Sequence, residues 1–234
     1  SKRRINFHMK TNKSQQSARR GNSFAPKRSA YPRNAMPGSS SPKWREMKYH
    51  DTSLVTGAIP ALGVTFGTLC AMAEGTAPNQ RVGRTVAAKR LQIRVIARLP
   101  GVNAAGTPDG DSLRFIVYMD RQTNGAAATT ANLLEIPSIL SYQDLENSSR
   151  FTILYDDIHD MHYTTAAPVD VGGNAVFTGE PHSFCLDIPV DHVIEYSATA
   201  ASVTSIRSVN YGVCVITQNG KIDLSAISRL RYFD

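Results

Sequence analysis

The chain has 234 residues, 41% of them hydrophobic, with a net charge of +7 and three cysteines. That size and apolar content suit one core with an appended segment rather than several domains. Cys70, Cys185 and Cys214 are scattered and odd in number, so their spacing supports neither a disulfide framework nor a zinc motif and fits a reducing interior.

The charge is split along the chain. Residues 1–48 hold thirteen basic side chains, Lys2, Arg3, Arg4, Lys10, Lys13, Arg19, Arg20, Lys27, Arg28, Arg33, Lys43, Arg45 and Lys48, against the single acid Glu46. The rest of the chain holds thirteen basic and eighteen acidic side chains. A +12 arm on a −5 body is the charge pattern of an electrostatic tether for a polyanion. Aromatic residues Phe7, Phe24, Tyr31 and Trp44 are interleaved with the charges. Pro26, Pro32, Pro37, Pro42 and a Ser39-Ser40-Ser41 run leave the arm almost no aliphatic surface to bury, so it is expected to order only on meeting its partner. Lys2-Arg3-Arg4 and Arg19-Arg20 also match short nuclear-import signals, and no apolar leader of secretory type is expected.

The body, residues 49–234, shows the period of two that places apolar side chains on one sheet face. Thr52–Ala73 carries no charge and is as long as a membrane span, but Pro60, Gly57, Gly63 and Gly67 favour buried β-structure instead. The expected strands are Leu62–Met72, Thr85–Ala97, Leu113–Met119, Phe151–Ile158, His182–Ile188, Val193–Tyr196, Val209–Thr217 and Ile227–Phe233. Pro108-Asp109-Gly110, Asn124-Gly125, Gly172-Gly173-Asn174 and Asn219-Gly220 read as turns. Between Thr130 and Asn147 the leucines allow one or two short helices. Phe115, Val117, Phe151, Ile153, Phe184 and Val213 are expected to line the space between sheets. Eight antiparallel strands with long, uneven connections predict an all-β, two-sheet jelly roll.

Chemistry-bearing motifs are sparse. Asp156-Asp157-Ile158-His159-Asp160-Met161-His162 packs carboxylates and imidazoles that suit a divalent cation, yet a solvated loop is the plainer reading. There is no nucleophile elbow, phosphate-cradling glycine loop or His-Glu-x-x-His, so catalysis, cofactors and a metal are not expected. Arg81, Arg84, Lys89, Arg90, Arg94 and Arg98 crowd into one short stretch and make up nearly half of the body's positive charge. The alternation turns Arg90 and Arg94 away from the core, where they would give one sheet a basic, nucleic-acid-binding surface. The competing expectation pairs these arginines with acids such as Asp120 or Asp156.

Gln80-Arg81-Val82-Gly83-Arg84, Lys89-Arg90-Leu91-Gln92-Ile93-Arg94, the run Arg114 to Gly125 containing Asp120-Arg121-Gln122-Thr123-Asn124-Gly125, and Arg150-Phe151-Thr152-Ile153-Leu154-Tyr155-Asp156 together resemble capsid proteins of small circular Rep-encoding single-stranded DNA viruses. They are similar also to coat proteins of satellite necrosis viruses, which package RNA. The resemblance covers about residues 50–234 and has the basic arm in the expected place. It implies a jelly roll that assembles as sixty copies into a small icosahedral shell in the virion, with assembly in the host nucleus. The arm would face the genome, DNA rather than RNA. Arg81, Arg84 and Arg121 would lie at subunit boundaries. Geminivirus capsid proteins share part of the pattern, but their cysteine and histidine set near the arm is missing here. The contrasting expectation is a cellular single-strand-binding β-barrel with a basic tail, a class that stacks bases on exposed aromatics.

Overall fold

The structure, a computed structural model, describes residues 46–104, 109–166 and 175–234. Three of the expectations above therefore lie wholly or partly outside the described residues: the conformation of residues 1–45, the Pro108-Asp109-Gly110 turn at Pro108, and the Gly172-Gly173-Asn174 turn. Among the described residues eleven strands run in chain order: β1 (Met47–Ala58), β2 (Val64–Phe66), β3 (Thr85–Arg98), β4 (Val102–Ala104), β5 (Asp111–Asp120), β6 (Phe151–Met161), β7 (Tyr163–Ala166), β8 (Ala175–Gly179), β9 (His182–Glu195), β10 (Asn210–Thr217) and β11 (Asp223–Phe233). Helix is confined to α1 (Thr130–Leu133) and a 3-10 turn at Val203–Ser205 among the described residues. Every strand ladder is antiparallel.

Two four-stranded sheets, ordered β1-β11-β3-β9 and β2-β10-β5-β6, share one hydrophobic core. The first contributes Leu54, Leu91, Ile93, Val95, Leu224 and Leu230; the second contributes Leu113, Phe115, Val117, Tyr211, Val213 and Val215. Phe184 packs edge-on against Phe115, with ring centroids 5.3 Å apart. A small third sheet, β4-β8-β7, lies at the ends of the longer strands in sequence and has no counterpart among the expected elements. The Asn219-Gly220 turn joins β10 to β11. Gly220 takes φ +72°, a left-handed conformation that suits glycine, and the buried Asp111 carboxylate accepts hydrogen bonds from the N–H groups of Asn219 and Lys221 on either side.

The structure departs from the sequence reading at four places. β1 begins at Met47, so Met47 and Lys48 belong to the sheet and not to the arm. The expected strand Leu62–Met72 shrinks to Val64–Phe66, because Leu69, Cys70 and Met72 enter the core from turns rather than from a ladder. His182–Ile188 and Val193–Tyr196 are halves of one strand, β9, joined through a bulge where Arg90 pairs with Pro189 and Ala88 with His192. Proline is tolerated there because β9 is an edge strand.

The fourth departure reverses a face. Along β6 the register slips, with Val117 opposite Tyr155 but Tyr118 opposite Ile153, leaving Leu154 as the extra residue of a β-bulge. Phe151 and Ile153 consequently leave the inter-sheet core. They join Ile116, Tyr118, Cys214, Ile216, Leu133 and Leu134 in a second cluster on the far face of the β2-β10-β5-β6 sheet. The connection between β5 and β6 covers that face, which is why β10 is buried at every position and β5 at nearly every one. In the stretch expected to be helical, only four residues are helix: Leu133 and Leu134 are buried beneath it, while Leu140 and Leu145 stand exposed. Thr52–Ala73, weighed above as a membrane span, contains parts of β1 and β2, and no helix among the described residues is long and apolar enough to cross a membrane.

Candidate nucleic-acid interface

The outward face of the β1-β11-β3-β9 sheet is built by strict alternation. In β3, Leu91, Ile93, Val95 and Ala97 go into the core, so Arg90, Arg94 and Arg98 point out. In β11, Leu224, Ala226, Leu230 and Tyr232 go in, which turns Arg229 and Arg231 out. The ladders bring these side chains into rows across the sheet. One row runs Tyr49, Arg231, Arg90; the next runs Asp51, Arg229, Gln92, Asp187; the third runs Ser53, Ile227, Arg94, Cys185.

Four guanidinium groups thus sit on three adjacent rows with two carboxylates between them. Asp51 takes a two-pronged hydrogen bond from Arg229, Nε to Oδ1 and Nη2 to Oδ2, both at 2.7 Å. That bond holds the Asp51 carboxyl below its ordinary range and raises Arg229 in turn. Arg229 also stacks on the ring of Tyr49, 4.6 Å from its centroid. Arg90 pairs with Asp187 at 3.1 Å. Arg94 and Arg231 have no carboxylate partner among the described residues, and both line a shallow depression of about 390 Å³ with Gln92, Cys185 and Arg229. These three rows keep a surplus of two positive charges, and two planar forks without an ion pair among the described residues, which suits phosphate oxygens. β1 of this sheet opens at Met47, two residues before Tyr49.

No protein-family model matches the chain, and no curated protein matches it.

Arg90 and Arg94 stand where the alternation puts them, and the expected acids are not their partners. Asp120 is bound by Arg150 through two hydrogen bonds of 2.9 and 2.7 Å, and Asp156 by Arg114 through two of 2.7 and 2.6 Å. Arg229 and Arg231 escape the sequence reading, although the strand Ile227–Phe233 is recognised. The signal that could have found them is their alternation with Leu230 and Tyr232. Lys48, counted with the arm, instead bonds Asp234 at 2.7 Å at the start of β1. Lys2 through Arg45 lie outside the described residues.

Arg81 is a correction. Expected at a subunit boundary, it is 0% exposed. Its guanidinium donates to the carbonyl oxygens of Met72, Gly83 and Ala198 and to the Glu74 carboxylate, and lies 4.2 Å from the Tyr196 ring centroid. It therefore organises the loop between β2 and β3 and has no fork left for a neighbour. Arg84 and Arg121 are exposed and form no ion pair among the described residues.

The Asp156–His162 segment is strand, not loop, through Met161. Its acids face different partners: Asp156 meets Arg114, Asp157 meets the Tyr155 hydroxyl, and Asp160 accepts from Ser112. His159 lies 3.1 Å from His182, nitrogen to nitrogen, and stacks on Phe184. Among the described residues no three His, Cys, Asp or Glu side chains converge as a metal site.

Proposed function

We propose that this chain is a viral capsid subunit with a jelly-roll domain, which self-assembles into a small icosahedral shell and packages a single-stranded genome, DNA in preference to RNA. Packaging would be sequence-independent: the +12 arm and the Arg90, Arg94, Arg229 and Arg231 face would hold phosphates rather than base edges. The observation that carries the reading is the strand order. Two facing four-stranded antiparallel sheets, β1-β11-β3-β9 and β2-β10-β5-β6, alternate first and last strands as a doubled-over pair of Greek keys does. An open arginine face on the β1-β11-β3-β9 sheet adds to it. Charge supports the scale: sixty arms of +12 would supply about 720 positive charges, enough to offset part of a genome of a few thousand nucleotides and leave the rest to counterions.

The contrasting reading, a cellular single-strand-binding barrel, needs aromatic platforms along a groove. Phe115, Phe151 and Tyr211 are buried and Phe184 packs on the core, so the structure offers that class little. The role proposed is structural rather than enzymatic. Expression of the full chain followed by negative-stain microscopy tests the reading. Uniform virus-sized particles containing nuclease-protected single strands are expected, with DNase rather than RNase digesting the extracted nucleic acid. A stable monomer or dimer coating single strands would overturn it.

A further inference from the structure

Two surfaces away from the arginine face have complementary character. The first is the projection between β5 and β6. Leu133 and Leu134 anchor it in the second cluster. A bridge between Leu134 and Gln143, and hydrogen bonds from Glu135 N–H to the Tyr142 carbonyl and from Asp144 N–H to the Leu133 carbonyl, fold it into a small hairpin. Arg114 fastens its tip: while two of its nitrogens hold Asp156, Nη1 donates to the carbonyls of Ile139 at 3.1 Å and Ser141 at 2.6 Å. This fixed hairpin exposes Ile136, Leu140, Tyr142 and Leu145, each 65–81% accessible. Leu140 and Tyr142 continue into Ile158 of β6 around a groove of about 400 Å³. Large apolar side chains held out in water by internal hydrogen bonds mark an interaction surface that needs little further ordering to bind. The surrounding charge is acidic: Glu135, Asp144, Glu146 and Asp157, beyond the paired Asp156.

The second surface is the end of the domain where β3 starts and β9 finishes. Arg84 and Arg207 line one depression there with Glu195. Arg121 belongs to the same end, since Thr123, two residues on, bonds the carbonyl of Ile206, which precedes Arg207. None of the three arginines has an ion-pair partner among the described residues. Val82, two residues before Arg84, and Val193, two before Glu195, are 58% and 56% exposed.

We propose that the Leu134–Glu146 hairpin of one subunit docks on the Arg84, Arg121 and Arg207 end of a second copy of this chain. The occupant is a second copy because the charge and apolar complement of the acidic hairpin is present on the chain itself. The two surfaces are different, so the contact is head-to-tail, and in a closed shell it would repeat around a rotation axis. The inference rests on the self-assembly reading above and names the contact that reading lacks.

Four variants test it, each full length, mixed with a random-sequence single-stranded oligonucleotide and followed by light scattering. Glu135→Arg with Glu146→Arg, and Arg84→Glu with Arg207→Glu, should each lower the fraction of subunits in particles at least tenfold. The protein carrying all four reversals should regain assembly, because the complementary signs are restored. Leu140→Ala with Tyr142→Ala should also block assembly while leaving the thermal midpoint unchanged, which separates lost contact from lost fold. Reversal variants that assemble like the parent overturn the contact, as does a fourfold variant that fails although both pairs fold. Parent protein that never forms particles overturns the self-assembly reading itself, and this contact with it.

Discussion

The two sheets share a core and differ in what lies on their outer faces. Among the described residues the β1-β11-β3-β9 sheet is uncovered outside, and its sequence alternates cleanly, with Arg90, Arg94, Arg229 and Arg231 pointing away from Leu91, Ile93, Leu230 and Tyr232. The β2-β10-β5-β6 sheet is roofed by the β5–β6 connection, and β10 is buried throughout. A sheet with one wet face must alternate; a sheet covered on both faces is freed from alternation and reads as a continuous apolar run. The uncovered face thus keeps its charged side chains in water, while the covered face holds up the exposed hairpin that Arg114 fastens.

The largest effects should come from within the core. Phe115→Ala is expected to cost about 3–5 kcal/mol in chemical denaturation, since Phe115 is fully buried between the sheets. Phe151→Ala should cost about 3 kcal/mol. It empties the second cluster, where Phe151 meets Tyr118 edge-on at 5.9 Å, and should loosen the β5–β6 hairpin more than the inter-sheet core. Hydrogen exchange on the two variants separates the clusters: equal protection losses in β3 and β11 would mean that Phe151 does belong to the shared core. Arg81→Met should cost about 3 kcal/mol or more, because it strands buried carbonyls of Met72, Gly83 and Ala198. A loss no larger than the scatter usual for surface substitutions would return Arg81 to the surface.

Smaller effects should appear on the bare face. Arg94→Ala with Arg231→Ala should leave the unfolding midpoint unchanged within the spread usual for surface sites. The slope of log affinity for single strands against log salt should shrink by about 0.7 for each phosphate contact removed. An unaltered salt slope would remove this face from the interface.

The smallest expected effect is on acid stability. Burial holds the pKa of His50 below its ordinary 6.5, and burial followed by the neighbouring His182 does the same for His159. As pH falls, the unfolded chain therefore takes up protons before the folded one. The contribution is complete above about pH 6.5 and is lost as pH falls toward the lowered folded values. Urea midpoints should fall between about pH 7 and pH 5, and His50→Gln with His159→Gln should flatten that slope. An equal slope in the double variant would assign the loss to carboxylates.

Much of the bare sheet is legible in the sequence because its faces differ in polarity. The alternation from Leu91 to Ala97 places Arg90 and Arg94 outward, and the same reasoning extended to Leu230 and Tyr232 finds Arg229 and Arg231. β1 is hidden by weak contrast, since His50 and Thr52 face inward opposite Leu230 and Ser228. The Leu154 bulge cannot be read, because one extra residue flips every later side chain while leaving local composition unchanged. Arg81 is misplaced for a related reason: three carbonyls distant or irregular in sequence converge on it, and a basic residue in a glycine-containing loop otherwise reads as surface.

Sedimentation velocity of the full chain and of residues 46–234, across salt and with or without a random single-stranded oligonucleotide, tests the central claim most directly. Subunits carrying +12 arms should repel at low salt, and an oligonucleotide of any sequence should convert them to one fast-sedimenting particle that contains it. The truncated chain should assemble without regard to nucleic acid and enclose little. Full-length protein that assembles best at low salt without nucleic acid, or truncated particles that enclose as much as the full chain, would contradict the account.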